Sequence, residues 1–103
     1  MRPAQPAKVL RIHVSESDRA NDAPLYEAIV AKCRELKIAG ASVFVGLEGY
    51  GQAHLVSRNR PLLITVVDTP ENIDRLIPVV AEMMDTGLMS VSAAQMTRVE
   101  AKA

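Results

Sequence analysis

The sequence has few aromatic residues, one cysteine and no excess of charge of either sign, and each shortage excludes a class of protein. Aromatic residues make up 3% of the chain and tryptophan is absent, so we expect no stacking platform for nucleic-acid bases. Twelve basic residues balance twelve acidic ones, whereas a nucleic-acid-binding domain is usually basic. Cys33 is the only cysteine, which excludes a disulfide framework within the chain. We therefore expect no nucleic-acid partner.

Long apolar runs are also missing. No run approaches the ~18 residues that a membrane-spanning helix needs, so we expect no membrane insertion. Residues 1–7 contain Arg2 and two prolines but no apolar stretch, which is unlike a signal peptide. We predict a flexible N-terminal tail over residues 1–7 and a cytoplasmic protein.

The remaining composition fits one globular domain. The chain has 103 residues, 49% of them hydrophobic, and a domain of this size can bury a core without disulfides or metals. We place the domain at residues 8–99 and expect an aliphatic core. Apolar periodicity predicts two helices, one between Pro24 and Gly40 and one between Thr69 and Gly87. It predicts strands over residues 8–14, 41–47, 62–68 and 88–91, with a loop over 15–23 and a further extended stretch over 95–99.

Local signals mark the helix ends. Pro24 suits the first turn of a helix, and Thr69 followed by Pro70 suits a cap and a first helical position. Gly40 is predicted to end the first helix in a left-handed conformation. Pro78 lies inside the second apolar pattern, where we expect a kink or a break.

The element order βαββαβ predicts an α+β fold of the ferredoxin-like type, an antiparallel sheet with two helices on one face. The third strand is largely apolar on both sides, because Leu62, Ile64 and Val66 alternate with Leu63, Thr65 and Val67. An antiparallel sheet with one solvated face should instead alternate apolar and polar residues. We therefore expect a homo-oligomer, in which another copy covers the second face.

Glycines bracket the end of the second strand at positions 46, 49 and 51. They either shape a ligand site or only relieve a strand end and a turn. The polar segment that follows reads as a projecting loop, which is where small scaffolds often place function.

Several motifs, taken in order, resemble the family called domain of unknown function 190, which is itself similar to the P-II nitrogen-signalling proteins. The resemblance covers the chain from about Val9 to Val91. It is carried by Val14-Ser15-Glu16-Ser17-Asp18, Pro24-Leu25-Tyr26-Glu27-Ala28-Ile29-Val30, Ile38-Ala39-Gly40-Ala41-Ser42-Val43, Gly46-Leu47-Glu48-Gly49-Tyr50-Gly51, Val67-Asp68 and Thr86-Gly87-Leu88.

The resemblance implies a homotrimer with ligand clefts between subunits and a mobile T-loop that contacts a protein partner, such as a transporter or an enzyme. It implies an adenyl nucleotide (AMP, ADP or ATP) as effector and a signalling role. By position, it implies that the P-II adenine pocket corresponds to Gly40-Ala41-Ser42. It likewise implies that the base of the T-loop corresponds to Gly49-Tyr50-Gly51-Gln52 and the start of the B-loop to Thr86-Gly87. The partner loop spans residues 52–60 and carries His54, Arg58 and Arg60.

The sequence departs from the P-II pattern in two places. A P-II B-loop continues with glycines and a phosphate-binding lysine, whereas residues 88–93 of this chain contain neither. A glycine-rich nest with a cation is what holds a polyphosphate. The T-loop is also short and, between Gln52 and Arg60, contains no tyrosine.

Other readings stay open. A structural or metal-handling trimer that resembles the divalent-cation tolerance protein would share the fold without binding nucleotide. His13, His54 and Cys33 form no recognisable metal spacing, and we expect His13 and Cys33 to be packing residues. A small ferredoxin-like enzyme is the weakest alternative, because no nucleophile, base or paired-carboxylate motif is recognisable. We therefore predict no catalytic residues and no metal ligands.

Overall fold

The computed structural model describes residues 3–47 and 59–101, and its elements follow the predicted βαββαβ order with one small addition. The addition is a hairpin of two very short strands, β2 and β3, which starts in the segment predicted as a loop and ends at Pro24, the residue directly before α1. The elements are β1 (Gln5–Ser15), β2 (Arg19–Ala20), β3 (Ala23–Pro24), α1 (Leu25–Glu35), β4 (Ser42–Val45), β5 (Pro61–Asp68), α2 (Pro70–Met83) and β6 (Leu88–Met96).

The main sheet has four antiparallel strands in the order β4-β5-β1-β6. The long strand β1 lies in the centre, where Ile12 pairs with Ile64 of β5 and with Met89 of β6. Both helices pack on one face of this sheet. The predicted α+β, ferredoxin-like arrangement is therefore confirmed.

The core lies between the sheet and the two helices. Every second residue of the central strands points into it, because side chains alternate along a strand. Each aliphatic side chain that is fully buried here contributes roughly 1.5–3 kcal/mol relative to exposure. The fully or almost fully buried members are Leu10, Ile12, Val14, Leu62, Ile64 and Val66 from the strands, and Leu25, Ile29, Ile73, Leu76 and Val80 from the helices.

The opposite side of the sheet carries no helix. We call it the open face; it comprises the odd-numbered residues of β1 and β5 and the even-numbered residues of β4 and β6. Phe44 is 56% exposed there, Leu88 63% and Val67 40%. The open face therefore exposes large apolar side chains in the isolated chain. The homo-oligomer that would cover it remains a prediction.

Strand bounds differ from the sequence prediction at both ends of the sheet. β1 begins at Gln5 rather than Lys8, because Gln5 to Ala7 pair with residues 94–96 of β6, and Ala7 is buried. The predicted tail of residues 1–7 therefore overlaps the sheet at residues 5–7. The same pairing continues the predicted short strand 88–91 without a break to Met96, so that β6 includes residues 95–96 of the predicted extension but not 97–99. Strand β4 is shorter than predicted.

The structure confirms the predicted start of α2 and corrects the prediction of a break inside it. Thr69 caps α2, because its hydroxyl accepts a hydrogen bond from the Asn72 backbone N–H at 3.2 Å, and Pro70 occupies the first position. The expected break at Pro78 is wrong: α2 continues to Met83. Pro78 is exposed while Val80 beyond it is fully buried, so core packing holds the helix together across the missing N–H.

Candidate functional site

The predicted ligand residues Gly40, Ala41 and Ser42 line a cleft at the β4 edge of the sheet. The cleft has a volume of about 450 Å³ and opens on the open face. Its remaining lining residues are Ala39, Phe44, Thr65 and Val67. None of these side chains is charged. The cleft therefore offers small residues, two hydroxyls and one aromatic ring, a surface suited to a flat, mostly apolar group with a few hydrogen bonds.

A regular helix C-terminus leads into this cleft. Lys37 adopts a left-handed conformation with φ of 61°. Its N–H donates to the Arg34 carbonyl at 3.1 Å, and the Ile38 N–H donates to the Cys33 carbonyl at 2.9 Å. These two bonds form a Schellman motif. The prediction that Gly40 provides the left-handed cap is therefore wrong: the helix ends earlier, at Glu35, and Lys37 takes that role.

Gly40 instead lies in open space. A Cβ atom added there would meet no heavy atom within 4 Å. The absence of a side chain at this position keeps the cleft open, and no backbone strain requires it.

The buried carboxylate of Asp68 holds the cleft wall in place. Asp68 is only 1% exposed to solvent. Oδ2 accepts the Ala39 N–H at 2.8 Å, while Oδ1 accepts the Thr69 N–H at 2.7 Å and the Asn72 amide at 3.0 Å. Burial raises the pKa of Asp68, but these three hydrogen bonds and the Arg98 charge together outweigh it and leave the pKa below its ordinary value.

The loop between α1 and β4 is also held at its first residue, Leu36, by a hydrogen bond from Arg75 of α2. Arg75 donates from Nη2 to the Leu36 carbonyl at 2.8 Å and to the Asn72 side-chain oxygen at 3.1 Å. Since Asn72 also donates to Asp68, one polar network ties both ends of the loop 36–39 to the start of α2. The position of the cleft wall is therefore coupled to the β5–α2 junction.

The other predicted ligand residues, Thr86 and Gly87, lie at the start of β6. Gly87 has φ of 134°, and a Cβ atom there would lie 2.7 Å from the His13 carbonyl oxygen. The backbone conformation and the close approach to β1 both require glycine. The glycine is thus explained by the fold, whatever else it does.

The two groups of predicted ligand residues lie at opposite edges of the sheet. Ser42 is on β4, whereas Thr86 and Gly87 lead into β6, and both β5 and β1 lie between these strands. Three strand spacings of about 4.8 Å separate the edges by roughly 14 Å. A single copy of the chain therefore does not bring the two groups together.

The base of the predicted partner loop is anchored on both sides. The Gly46 N–H donates to the Pro61 carbonyl at 2.8 Å. Arg60 donates from Nε and Nη2 to Oε2 of Glu16, at 3.1 and 2.9 Å, and its backbone N–H donates to Oε1. The side-chain hydrogen bonds from Arg60 lower the pKa of Glu16, and the same pairing raises the pKa of Arg60. Arg60 thus already has an acidic partner within the chain.

The other predicted residues of this region lie outside the described residues. They are Gly49, Tyr50, Gly51, Gln52, His54 and Arg58.

The side chains of Asp18 and Cys33, which the sequence also singles out, have roles in the fold. The Asp18 carboxylate accepts the Ser15 N–H at 2.9 Å, which makes residues 15–18 a hydrogen-bonded strand exit. Cys33 is buried in the core, and burial raises the pKa of its thiol. Within residues 3–47 and 59–101, no three His, Cys, Asp or Glu side chains group as metal ligands would. In the same ranges no helix has the length and apolarity to cross a membrane.

The sequence interpretation missed the network of Asp68, Asn72 and Arg75. A signal was present, because an aspartate ends a buried strand directly before a Thr-Pro helix start, and Asn72 and Arg75 are one helical turn apart. Nothing in the sequence linked these residues to the loop after α1, which is about 30 residues away.

The sequence matches one protein family over most of its length. The profile of the domain of unknown function 190 family, described as "Uncharacterized ACR", matches residues 7–96. A UPF0166 protein of Methanocaldococcus jannaschii is 32% identical over 94 residues, which cover 84% of this chain and 87% of that protein.

Solved structures with the same fold include CPII, a nitrogen regulatory PII-like protein from Thiomonas intermedia K12. Its structure bound to ADP, AMP and acetate superposes with a TM-score of 0.69 at 17% identity and covers 94% of each chain. The divalent ion tolerance protein CutA1 from Ehrlichia chaffeensis superposes with a TM-score of 0.60 at 12% identity, over 91% of this chain and 84% of that one. At these identities the likeness shows the shared fold.

Proposed function

The chain belongs to the domain of unknown function 190 family, and from that premise we propose that it is a P-II-like signalling module. In this proposal it is a cytoplasmic homotrimer that binds an adenyl nucleotide in clefts between subunits. It signals to a protein partner, such as a transporter or an enzyme, through the loop 52–60. It has no enzymatic activity of its own.

One observation carries the proposal: the two predicted halves of the ligand site lie at opposite edges of one sheet. The two groups of predicted ligand residues can form one site only if the β4 edge of one copy faces the β6 edge of the next copy. Such a head-to-tail contact closes into a ring when the rotation between copies permits. The open face supports the same arrangement, because exposed Phe44, Val67 and Leu88 would be buried between copies.

The chemistry of the cleft favours an adenine ring. Phe44 offers an aromatic surface for stacking, and the small residues Gly40 and Ala41 let a flat ring approach the backbone. The crystallised CPII of Thiomonas, which has this fold, was bound to ADP and AMP, and this supports the same ligand class here. Residues 88–93 contain no glycine and no lysine, so we expect AMP and ADP to bind at least as well as ATP.

The test is calorimetric titration of AMP, ADP and ATP into wild-type protein, beside thermal unfolding in the same ligands. A ligand at ~100 times its dissociation constant stabilises the folded state by ~2.7 kcal/mol. Gly40→Val should abolish the binding, since Gly40 lines the cleft and an added Cβ atom there meets no heavy atom within 4 Å, so the fold should tolerate the change. Ala81→Val, which adds bulk on the exposed side of α2, is the matched control and should bind normally.

A metal-handling trimer like the divalent ion tolerance protein is the second candidate, favoured only by the shared fold with CutA1. Titration with divalent cations distinguishes the two. Stabilisation by a metal without any heat from nucleotide would replace the signalling proposal with this one. Nucleotide binding that Gly40→Val leaves intact would place the ligand elsewhere and contradict the proposed cleft.

A further inference from the structure

A row of polar side chains crosses the open face at one level. The strand register places Ser42 opposite Thr65, Thr65 opposite Arg11, and Arg11 opposite Ser90. Directly opposed residues of antiparallel strands lie on the same face, with Cβ atoms about 5 Å apart. Arg11 therefore has a hydroxyl-bearing neighbour on each side. We call these four residues the polar row.

Apolar residues border the polar row along the strands. On one side the next level contains Phe44, Leu63 and Leu88, together with His13. On the other side lie Val67 and Val9, together with Ser92. The row is thus a polar strip within an apolar surface, and water would be excluded from it once that surface was covered.

Arg11 has few partners for its charge. Its Nη1 donates to the Ser92 hydroxyl at 3.2 Å, and within residues 3–47 and 59–101 it forms no ion pair. A guanidinium group has five N–H donors and a permanent positive charge. The strand residues of the open face include no aspartate or glutamate. The face therefore presents one cation with several unused donors and no counter-charge.

Covering this face with another copy makes the unmatched charge costly, and at this step the inference rests on the proposed assembly. An ion removed from water without a partner loses its solvation and destabilises the assembly. Guanidinium and hydroxyl donors together match the acceptor oxygens of a phosphate or similar oxyanion. We propose that Arg11, with Thr65, Ser90 and Ser92, binds a small oxyanion inside the oligomer. This chemistry fits inorganic phosphate or the phosphate of a nucleotide in the adjoining cleft, which Ser42 and Thr65 also line.

The first experiment is thermal unfolding in inorganic phosphate or sulfate against chloride at constant ionic strength. We expect a saturable rise in the wild-type midpoint of roughly 4 °C or more. Arg11→Gln should remove this rise. Arg19→Gln, which removes the same charge from the small hairpin outside the open face, should keep it. If Arg11→Gln fails to fold, Thr65→Val and Ser92→Ala replace it, and each should weaken the phosphate response several-fold.

A second arm identifies the source of the oxyanion. If inorganic phosphate is the ligand, its effect should persist in Gly40→Val, where the cleft is blocked. If the nucleotide provides it, AMP should bind more tightly than adenosine to the wild type and equally to Arg11→Gln. Either pattern supports the site.

Light scattering on the same samples separates the two proposals. If the protein is an oligomer, but phosphate does not raise its unfolding midpoint and AMP binds no more tightly than adenosine, the oxyanion site is overturned and the assembly stands. A monomer overturns the assembly and with it the site inside it.

Discussion

Two glycines at the candidate site illustrate opposite requirements at the scale of single residues. Gly87 has a positive φ and no room for a Cβ atom, whereas Gly40 has room and ordinary backbone geometry. We expect Gly87→Ala to lower the free energy of unfolding by about 1–3 kcal/mol. Gly40→Ala should change it by no more than about 0.5 kcal/mol. Denaturant unfolding of both variants measures this, and equal midpoints would contradict the assignment.

Asp68 gives a pH-dependent prediction at the same scale. Asp68→Asn replaces one acceptor oxygen with an amide, so a buried N–H loses its partner, and we expect a loss of about 1–3 kcal/mol at pH 7. The folded-state pKa of Asp68 is lowered. Its stabilisation is therefore fully present above the unfolded value of about 3.9 and is lost as the pH falls through the folded-state value.

The difference in unfolding free energy between wild type and Asp68→Asn should accordingly shrink below about pH 4. Urea unfolding between pH 2 and pH 7 tests this, with the range set by the ordinary carboxyl pKa of about 3.9. A difference that stays constant across the series would show that the carboxylate charge is not what holds the Ala39 N–H.

At the scale of elements, the two prolines of α2 form a natural pair. Pro70 occupies the first helical position, where its missing N–H costs nothing, while Pro78 is exposed in the interior of the helix. Pro78→Ala restores an N–H to donate toward residue 74, and we expect a gain of about 1–2 kcal/mol after the loss of proline's rigidity in the unfolded chain. Pro70→Ala should give no gain. Equal effects in thermal unfolding would argue against a regular helix around residue 78.

How far the elements could be predicted depends on what determined each one. Both helices and the four main strands were predictable, because apolar periodicity and the Thr69-Pro70 cap are local signals. The extension of β1 to Gln5 was not, since Pro6 and Ala7 join the strand only through pairing with distant β6. The continuation past Pro78 and the Lys37 cap likewise depend on packing and hydrogen bonds that local propensity does not contain.

At the scale of the whole molecule, the open face should decide the oligomeric state. Phe44→Glu places a charge at an exposed edge of that face, so the fold should tolerate it while contact between copies should not. Ala81→Glu adds the same charge on the exposed side of α2 as a control. We expect light scattering to show a trimer for wild type and Ala81→Glu but a monomer for Phe44→Glu. A trimer in all three would place the interface elsewhere.

Only one of the two groups of predicted ligand residues could be assigned to the cleft, because the other group lies at the opposite edge of the sheet. The resemblance to the P-II proteins indicated Gly40, Ala41 and Ser42, and all three line the cleft at the β4 edge. The distance of Thr86 and Gly87 from this cleft follows from the strand order β4-β5-β1-β6, which the spacing of residues along the chain does not give directly. The positions of Arg11 and of the Asp68 network also emerge only from the assembled sheet.

The opposite-edge placement has a genetic consequence. If each site combines the β4 edge of one subunit with the β6 edge of its neighbour, Gly40→Val and Thr86→Asp damage different halves of it. Each variant alone should form trimers with no working site. Co-expressed, they should form mixed trimers in which one junction joins two undamaged edges, so intersubunit complementation restores one nucleotide site per mixed ring. Titration of the co-purified mixture would show it, whereas a site contained within one chain could never be restored in this way.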